Sequence, residues 1–333
     1  MTRPAAGRSP VVAALAADPF LRAYAAVLAV ELFLFLTPVL SPADRKTFGT
    51  YQFLFPALAL TVAGSYAGLS RIADREERRY WRYLATGFFC WLIVQAIAAA
   101  YTGQEDRRAV DVVIDALYLV SYLLPLVGME RQPHLGTARG ALELDRRLKS
   151  IGIACVAGGW FAYFVLVPAA IDPGFSGSVL PSFYGYLTLD LLLVGRSTMN
   201  GLYCNERRWR AIYLTFAAGA LANGLADVCD TLVNANVLLW TNGSPTDLLW
   251  LVCPGIYLVT TRLRHAPLPS GPVDALRAPH ASNVLNPVRT ASLLLAGAFT
   301  FPLGHIWLYS RTFGSDTLER SHGILVLGAL AVL

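Results

Sequence analysis

The feature that most constrains this chain is a succession of apolar runs, each close to the ~20 residues an α-helix needs to cross a bilayer. They occupy 20–40, 50–70, 82–102, 109–129, 150–171, 181–204, 211–236, 246–262 and 288–310, and a tenth begins at Gly323 and is still apolar at Leu333. Composition agrees: 55% of the 333 residues are hydrophobic and 15% are charged, against about 25% charged in soluble chains. A soluble fold of this size has no interior large enough for so much apolar material. This excludes a disordered chain, a secreted disulfide scaffold and an ordinary soluble enzyme. The expected fold is all-α, a polytopic membrane bundle of about ten transmembrane helices. The eleven residues from Gly323 to Leu333 cannot cross a bilayer at ~1.5 Å per residue. Two expectations follow: the chain stops inside its tenth helix as a fragment of a longer protein, or it ends in a short re-entrant segment.

Basic residues decide orientation. With the N-terminus inside, nineteen of the 27 Lys and Arg fall on the cytoplasmic side, among them Arg71, Arg75, Arg78, Arg79, Arg131, Arg207, Arg208, Arg262 and Arg264. Six fall outside (Arg45, Lys46, Arg107, Arg108, Arg311 and Arg320), and Arg22 and Arg196 lie within spans. That bias places both termini in the cytoplasm. The net charge of +5 is then a topology signal and an attraction to anionic lipid, not a nucleic-acid footprint. The expected organisation is a cytoplasmic leader (1–18), an eight-helix membrane core (19–262), a Pro-, Ala- and Ser-rich cytoplasmic linker (263–287) and a final helix pair (288–333). No loop is long enough to hold a folded catalytic domain.

Ionisable groups inside a bilayer are costly, so each needs a reason. The seventh span carries Asn223, Asp227, Asp230 and Asn234 at spacings of 4, 3 and 4, which set them on one helical face. The fourth carries Asp111, Asp115, Tyr118 and Tyr122; the sixth carries Tyr186, Asp190 and Ser197; the eighth begins with Asp247 and Trp250. In the expected topology these acids converge on the outer half of the membrane. Glu31 sits near mid-membrane in the first span. The candidate ligand-binding set is Asp115, Tyr118, Tyr122, Tyr186, Asp190, Asn223, Asp227, Asp230, Asp247 and Trp250. It is either a ligand, cation or proton site, or interhelical hydrogen-bonding glue worth about 1 kcal/mol per contact. Asp115, Asp190 and Asp247 each open an apolar helical stretch, a weak repeat that suggests stacked helical hairpins.

The remaining signals are structural. Cys90, Cys155, Cys204, Cys229 and Cys253 form no CxxC pair, and the five histidines show no metal-ligand spacing, so neither metal nor cofactor is expected. Gly64 and Gly68 make a GxxxG spacing suited to close helix packing or dimerisation. Pro38, Pro56, Pro125, Pro168 and Pro302 are candidate kinks. Trp81, Trp209 and Trp240 lie at span ends, where aromatic belts form.

The stretch from Asp111 to His265 resembles the multi-helix N-terminal input region of bacterial, mainly actinobacterial, signalling proteins. The likeness rests on Asp115 and Tyr118 before a charged loop, Trp160 to Pro168, the Asp190 helix, the Arg207–Arg210 turn, Asp227, and Asp247 to Trp250. In those proteins the region precedes cytoplasmic GGDEF and EAL domains, which make and degrade cyclic di-GMP, or a histidine kinase. The resemblance implies a sensory module of the bacterial inner membrane. It would pass a ligand, lipid or ion signal to a cytoplasmic output domain beyond residue 333. Dimeric outputs of that kind imply a homodimer through the membrane helices. No GGDEF-type or EAL-type motif occurs in this chain, so no catalytic residue is carried over. The alternative is an ion-coupled small-molecule transporter, which the intramembrane aspartates and the repeat also suit. A lipid-directed membrane enzyme is a third expectation, and aspartates alone supply it poorly.

Overall fold

A computed structural model describes residues 9–37, 39, 41–101, 108–135, 152, 158–159, 179–234 and 248–268. The described residues are helical, with no strand among them. Eight α-helices follow in order: α1 (Pro10–Ala17), α2 (Pro19–Leu36), α3 (Pro42–Tyr66), α4 (Arg75–Ala100), α5 (Arg108–Arg131), α6 (Val179–Tyr203), α7 (Arg207–Asn234) and α8 (Leu249–Leu263). Five helical stretches among the described residues are long and apolar enough to cross a membrane: Pro19–Leu36, Phe53–Arg71, Arg75–Ala100, Val110–Arg131 and Arg207–Cys229. The expected fifth, ninth and tenth spans (150–171, 288–310 and the run from Gly323) lie outside the described residues, apart from isolated positions in the fifth. So do the linker beyond Leu268 and residues 1–8 of the leader, of which Pro10–Ala17 forms α1.

Packing runs in a closed ring, α3 on α4, α4 on α5, α5 on α6, α6 on α7, α7 on α8 and α8 back on α3, with α2 laid against α3 and α8. The hairpins suggested by the repeat are present as α4–α5 and α7–α8. The most extensive packing is α6 on α7, which cuts across that grouping. Contacts at both ends show that α5 and α6 run in the same direction. Near their starts Tyr186 meets Asp115, and near their finishes Arg196 meets Glu130 and Asn200 meets the Met129 carbonyl.

Helix ends are set by local chemistry. Asp18 caps α2, accepting from the N–H groups of Phe20 and Leu21 at 3.0 and 3.3 Å, just before Pro19, a pairing of N-cap acid and first-turn proline that satisfies the exposed donors. Asp74 caps α4 in the same way, with Glu76 and Glu77 in the first turn where the helix dipole favours them. At the other end of α5, Gln132 takes a positive φ of 41° and Asn200 of α6 donates to the Met129 carbonyl at 3.1 Å, filling an acceptor that a helix C-terminus leaves open.

One sequence expectation is narrowed here and another is corrected. Gly68 lies beyond the end of α3 with φ of 83°, a left-handed residue of the kind that stops a helix. Gly64 faces Leu258 of α8 and Phe20 of α2. The GxxxG spacing therefore serves a helix end and packing within the chain, not one helical face. Trp81 and Trp209 are buried and stacked, with ring centroids 6.0 Å apart. They form an internal aromatic cluster with Tyr80 and Tyr213 and not a lipid-facing belt, because partners on α4 and α7 remove more indole surface from solvent than an interface would.

The basic helix ends gather at one end of the bundle. Arg262 donates to Asp18 at 2.7 Å and to the Gly64 carbonyl at 3.2 Å. Arg264 donates to the Ala67 carbonyl and lies 5.2 Å from the centre of the Trp81 ring. Glu77 accepts from Arg208 at 2.5 Å and from the Trp81 indole at 3.2 Å. Arg264 also donates through Nε to His265 Nε2 at 2.9 Å, which requires a neutral imidazole with its proton on Nδ1. Burial, followed by the charges of Arg264 and Arg262, holds the His265 pKa below its ordinary 6.5. A base with a depressed folded pKa contributes stability that is complete above its unfolded pKa and is lost as pH falls through the folded one. Thermal unfolding of the detergent-solubilised protein should therefore show a melting temperature that falls as pH drops below about 6.5. In His265→Gln that part of the slope should disappear.

Candidate functional site

The polar side chains that the sequence spaced along separate helices meet inside the bundle. On α7, Asn223 and Asp227 lie four residues apart and face inward together. Asn223 Nδ2 donates to the Tyr122 hydroxyl of α5 at 2.9 Å and to Asp190 Oδ1 of α6 at 3.1 Å. The Tyr122 hydroxyl in turn donates to Asp227 Oδ2 at 3.3 Å. The Cys253 thiol of α8 donates to Asn223 Oδ1 at 3.5 Å. One polar layer thus joins α5, α6, α7 and α8. Asp190 is 1% exposed, and Tyr122, Asn223 and Cys253 are also buried.

The layer depends on a close approach of α6 and α7. A methyl group built on Gly224 would stand 3.2 Å from Asp190 Cβ and 3.5 Å from its Oδ2. The absence of a side chain at Gly224 is what lets the Asp190 carboxyl lie flat against α7.

A second group lies beside it on the same seam. The Tyr186 hydroxyl donates to Asp115 Oδ1 at 2.6 Å. The Tyr186 ring stacks on Tyr122 with centroids 6.0 Å apart, and tilts against Tyr118 at 5.5 Å. Tyr118 receives a hydrogen bond from Gln95 of α4 at 2.6 Å. Seven of the expected site residues are therefore brought together: Asp115, Tyr118, Tyr122, Tyr186, Asp190, Asn223 and Asp227. Trp250 packs against the apolar core and enters the network through its backbone carbonyl, which faces the Cys253 thiol at 3.6 Å. Asp247 and the side chain of Asp230 lie outside the described residues.

Sequence reasoning missed Gln95, Cys253 and Pro254. Pro254 lies inside α8 and lacks the N–H that would bond the carbonyl of Trp250, four residues back. That carbonyl faces the Cys253 thiol at 3.6 Å, and hydroxyls from neighbouring helices reach other carbonyls of the same stretch. Tyr24 of α2 donates to the Leu251 carbonyl, and Thr61 of α3 donates to the Pro254 carbonyl at 3.0 Å. The Pro254 turn of α8 meets the polar layer through Cys253. A Pro in an apolar run next to a Cys was the available signal.

Glu31 of α2 is also buried, at 1% exposed, and lies near Tyr24 rather than in the layer. A further ionic contact sits toward the end of the α5–α6 seam. Arg196 donates to both carboxylate oxygens of Glu130, the Nη2–Oε2 distance being 2.7 Å. The Glu130 side chain is 4% exposed and that of Arg196 is 32% exposed.

Comparison with protein-family models, with curated proteins and with solved structures found no match.

Proposed function

We propose that this chain is a membrane-embedded sensory input module, residing in a bacterial inner membrane, whose helix packing responds to occupancy of the Asp190–Asp227 layer and passes that response to a cytoplasmic output domain. The observation that carries the proposal is the sharing of one buried polar layer among four helices. Any change in its charge or hydrogen bonding must be accommodated by α5, α6, α7 and α8 together, because a protein interior repacks between discrete arrangements rather than yielding continuously. A homodimer is the assembly in which such a module would act.

Pro254 inside α8 supports a second reading, an ion-coupled transporter, since transporters place helices marked by Pro or Gly against their binding sites. One experiment separates the two. Spectroscopic labels at Ala73 and Asn205, both on exposed turns at the basic end, report the separation of the α3–α4 turn from the α6–α7 turn in vesicles. The expected result is a change in label separation between the wild type and the Asp190→Asn/Asp227→Asn double variant, with no accumulation of ions by vesicles carrying either protein. Unchanged label distances would remove the sensor proposal, and variant-sensitive ion accumulation would replace it with the transporter.

A further inference from the structure

Donors can be counted against acceptors in the buried layer. Asn223 Nδ2 has two hydrogens, directed at Tyr122 and at Asp190 Oδ1. Tyr122 has one, directed at Asp227 Oδ2. The thiol hydrogen of Cys253 is directed at Asn223 Oδ1 or at the Trp250 carbonyl. Each of these donors then has an acceptor, yet Asp190 Oδ2 is fully buried with no hydrogen-bond partner. The inventory is short by one donor, at an oxygen aimed into the layer.

The strongest charged neighbour of that carboxyl is Asp227, another acid. The other titratable groups facing the pair are Tyr122 of α5, Tyr186 of α6, and Cys253 and Tyr257 of α8, all neutral when protonated. No Lys, Arg or His among the described residues lies at hydrogen-bond distance from Asp190. An orphaned carboxylate oxygen beside a second carboxylate, with no basic group against it, is costly in an apolar interior. The missing partner is therefore something small and positive.

We infer that the Asp190–Asp227 pair is a proton-binding site, in which one proton sits on Asp190 Oδ2 and is shared with Asp227. This deepens the sensor proposal by naming the ligand of its site, and rests on that proposal only for the consequence of binding. The exchange balances simply: a hydronium ion gives a proton to the Asp190 carboxylate and leaves as water, and release is the reverse. A proton fits better than a metal ion. Metal cations of the sodium and calcium kind take six or so oxygen ligands, whereas the described residues contain no group of three or more His, Cys, Asp or Glu able to hold a metal. Gly224 also lets the carboxyl pack against helix backbone, leaving that side closed to a coordination sphere.

The test is infrared spectroscopy of the whole protein in phosphatidylcholine vesicles at neutral pH, reading the carbonyl stretch of protonated carboxylic acids. The expected result is a band in the wild type that Asp190→Asn reduces by one carboxyl equivalent per chain. Asp227→Asn should do the same, because its amide supplies the missing donor and leaves a single negative charge on the pair without a proton. The second variant keeps the test decisive if Asp190→Asn does not fold. Absence of the band, or a band undiminished in both variants, overturns the inference. So does a wild-type band that sodium removes at constant pH, which would assign the site to a metal cation. A band that behaves as expected while the labels at Ala73 and Asn205 stay still would keep the proton site and discard the sensor.

Discussion

Replacing Arg196 with alanine should destabilise the folded bundle by about 3–5 kcal/mol, the loss seen when one partner of a buried ion pair is removed. The asymmetry of the pair makes the direction of the mutation matter. Glu130 is 4% exposed while Arg196 keeps 32% of its side chain accessible. Removing the arginine strands a charge in the interior; removing the glutamate leaves a guanidinium that can reach solvent. Glu130→Ala should therefore cost distinctly less than Arg196→Ala. Replacing both with apolar residues of similar volume should come close to the wild type, since a buried pair recovers little more than its own desolvation. Reversible unfolding in mixed micelles measures all three variants. Equal losses for the two single variants would mean that the carboxylate is not the stranded partner.

Gly87→Ala should cost about 1–3 kcal/mol, the usual penalty for forcing extra volume into a packed interior. Gly87 of α4 lies against the proline of α5. A methyl group built there would stand 2.8 Å from Pro125 Cδ, 3.0 Å from Pro125 Cγ and 3.0 Å from the Ser121 carbonyl oxygen. None of these is the loose end of a flexible side chain: one is backbone and two belong to a closed ring. Pro125 has no N–H to offer that same carbonyl, so the surface of α5 is irregular where α4 meets it. Relief can come only from moving one helix away from the other. Gly195→Ala, where a methyl group meets nothing within 4 Å, is the control and should leave the unfolding midpoint close to that of the wild type.

Much of the helical order was legible because a bilayer-length apolar run is a simple signal, yet that signal reports lipid immersion and not helix length. The third run, 82–102, corresponds to a helix beginning at Arg75. The Asp74 cap and the acidic first turn carry α4 past the end of its apolar stretch. The second run, 50–70, ends early as a helix because Gly68 turns left-handed. Asn223 and Asp227 could be paired from sequence because both sit on one helix at a spacing of four. Glu130 and Arg196 could not, being 66 residues apart, with the acid sitting where an apolar run gives way to charges. Gln95 and Cys253 were invisible for a different reason. Neither carries a charge at neutral pH, and only the meeting of helices gives them polar partners. Trp81 and Trp209 misled because proximity to a span end says nothing about which neighbour covers the ring; Trp240 lies outside the described residues.

The arginines at the basic end have a mechanical consequence. Arg262 ties α8 to the start of α2 and to the last turn of α3, Arg264 ties α8 to the residue just past α3, and Arg208 ties α7 to α4. Arg264 also lies over the Trp81 ring of α4, so that α2, α3, α4, α7 and α8 are joined at this end by contacts from side chains to backbone as well as to other side chains. The Glu130–Arg196 clasp joins α5 to α6, and Arg131 of α5 reaches Tyr83 and Glu76 of α4, so that this pair is tied into the same end. Under the proposed function, a disturbance among the carboxyls would therefore meet this end as a strain borne by several helices together, and not as the sliding of any single one.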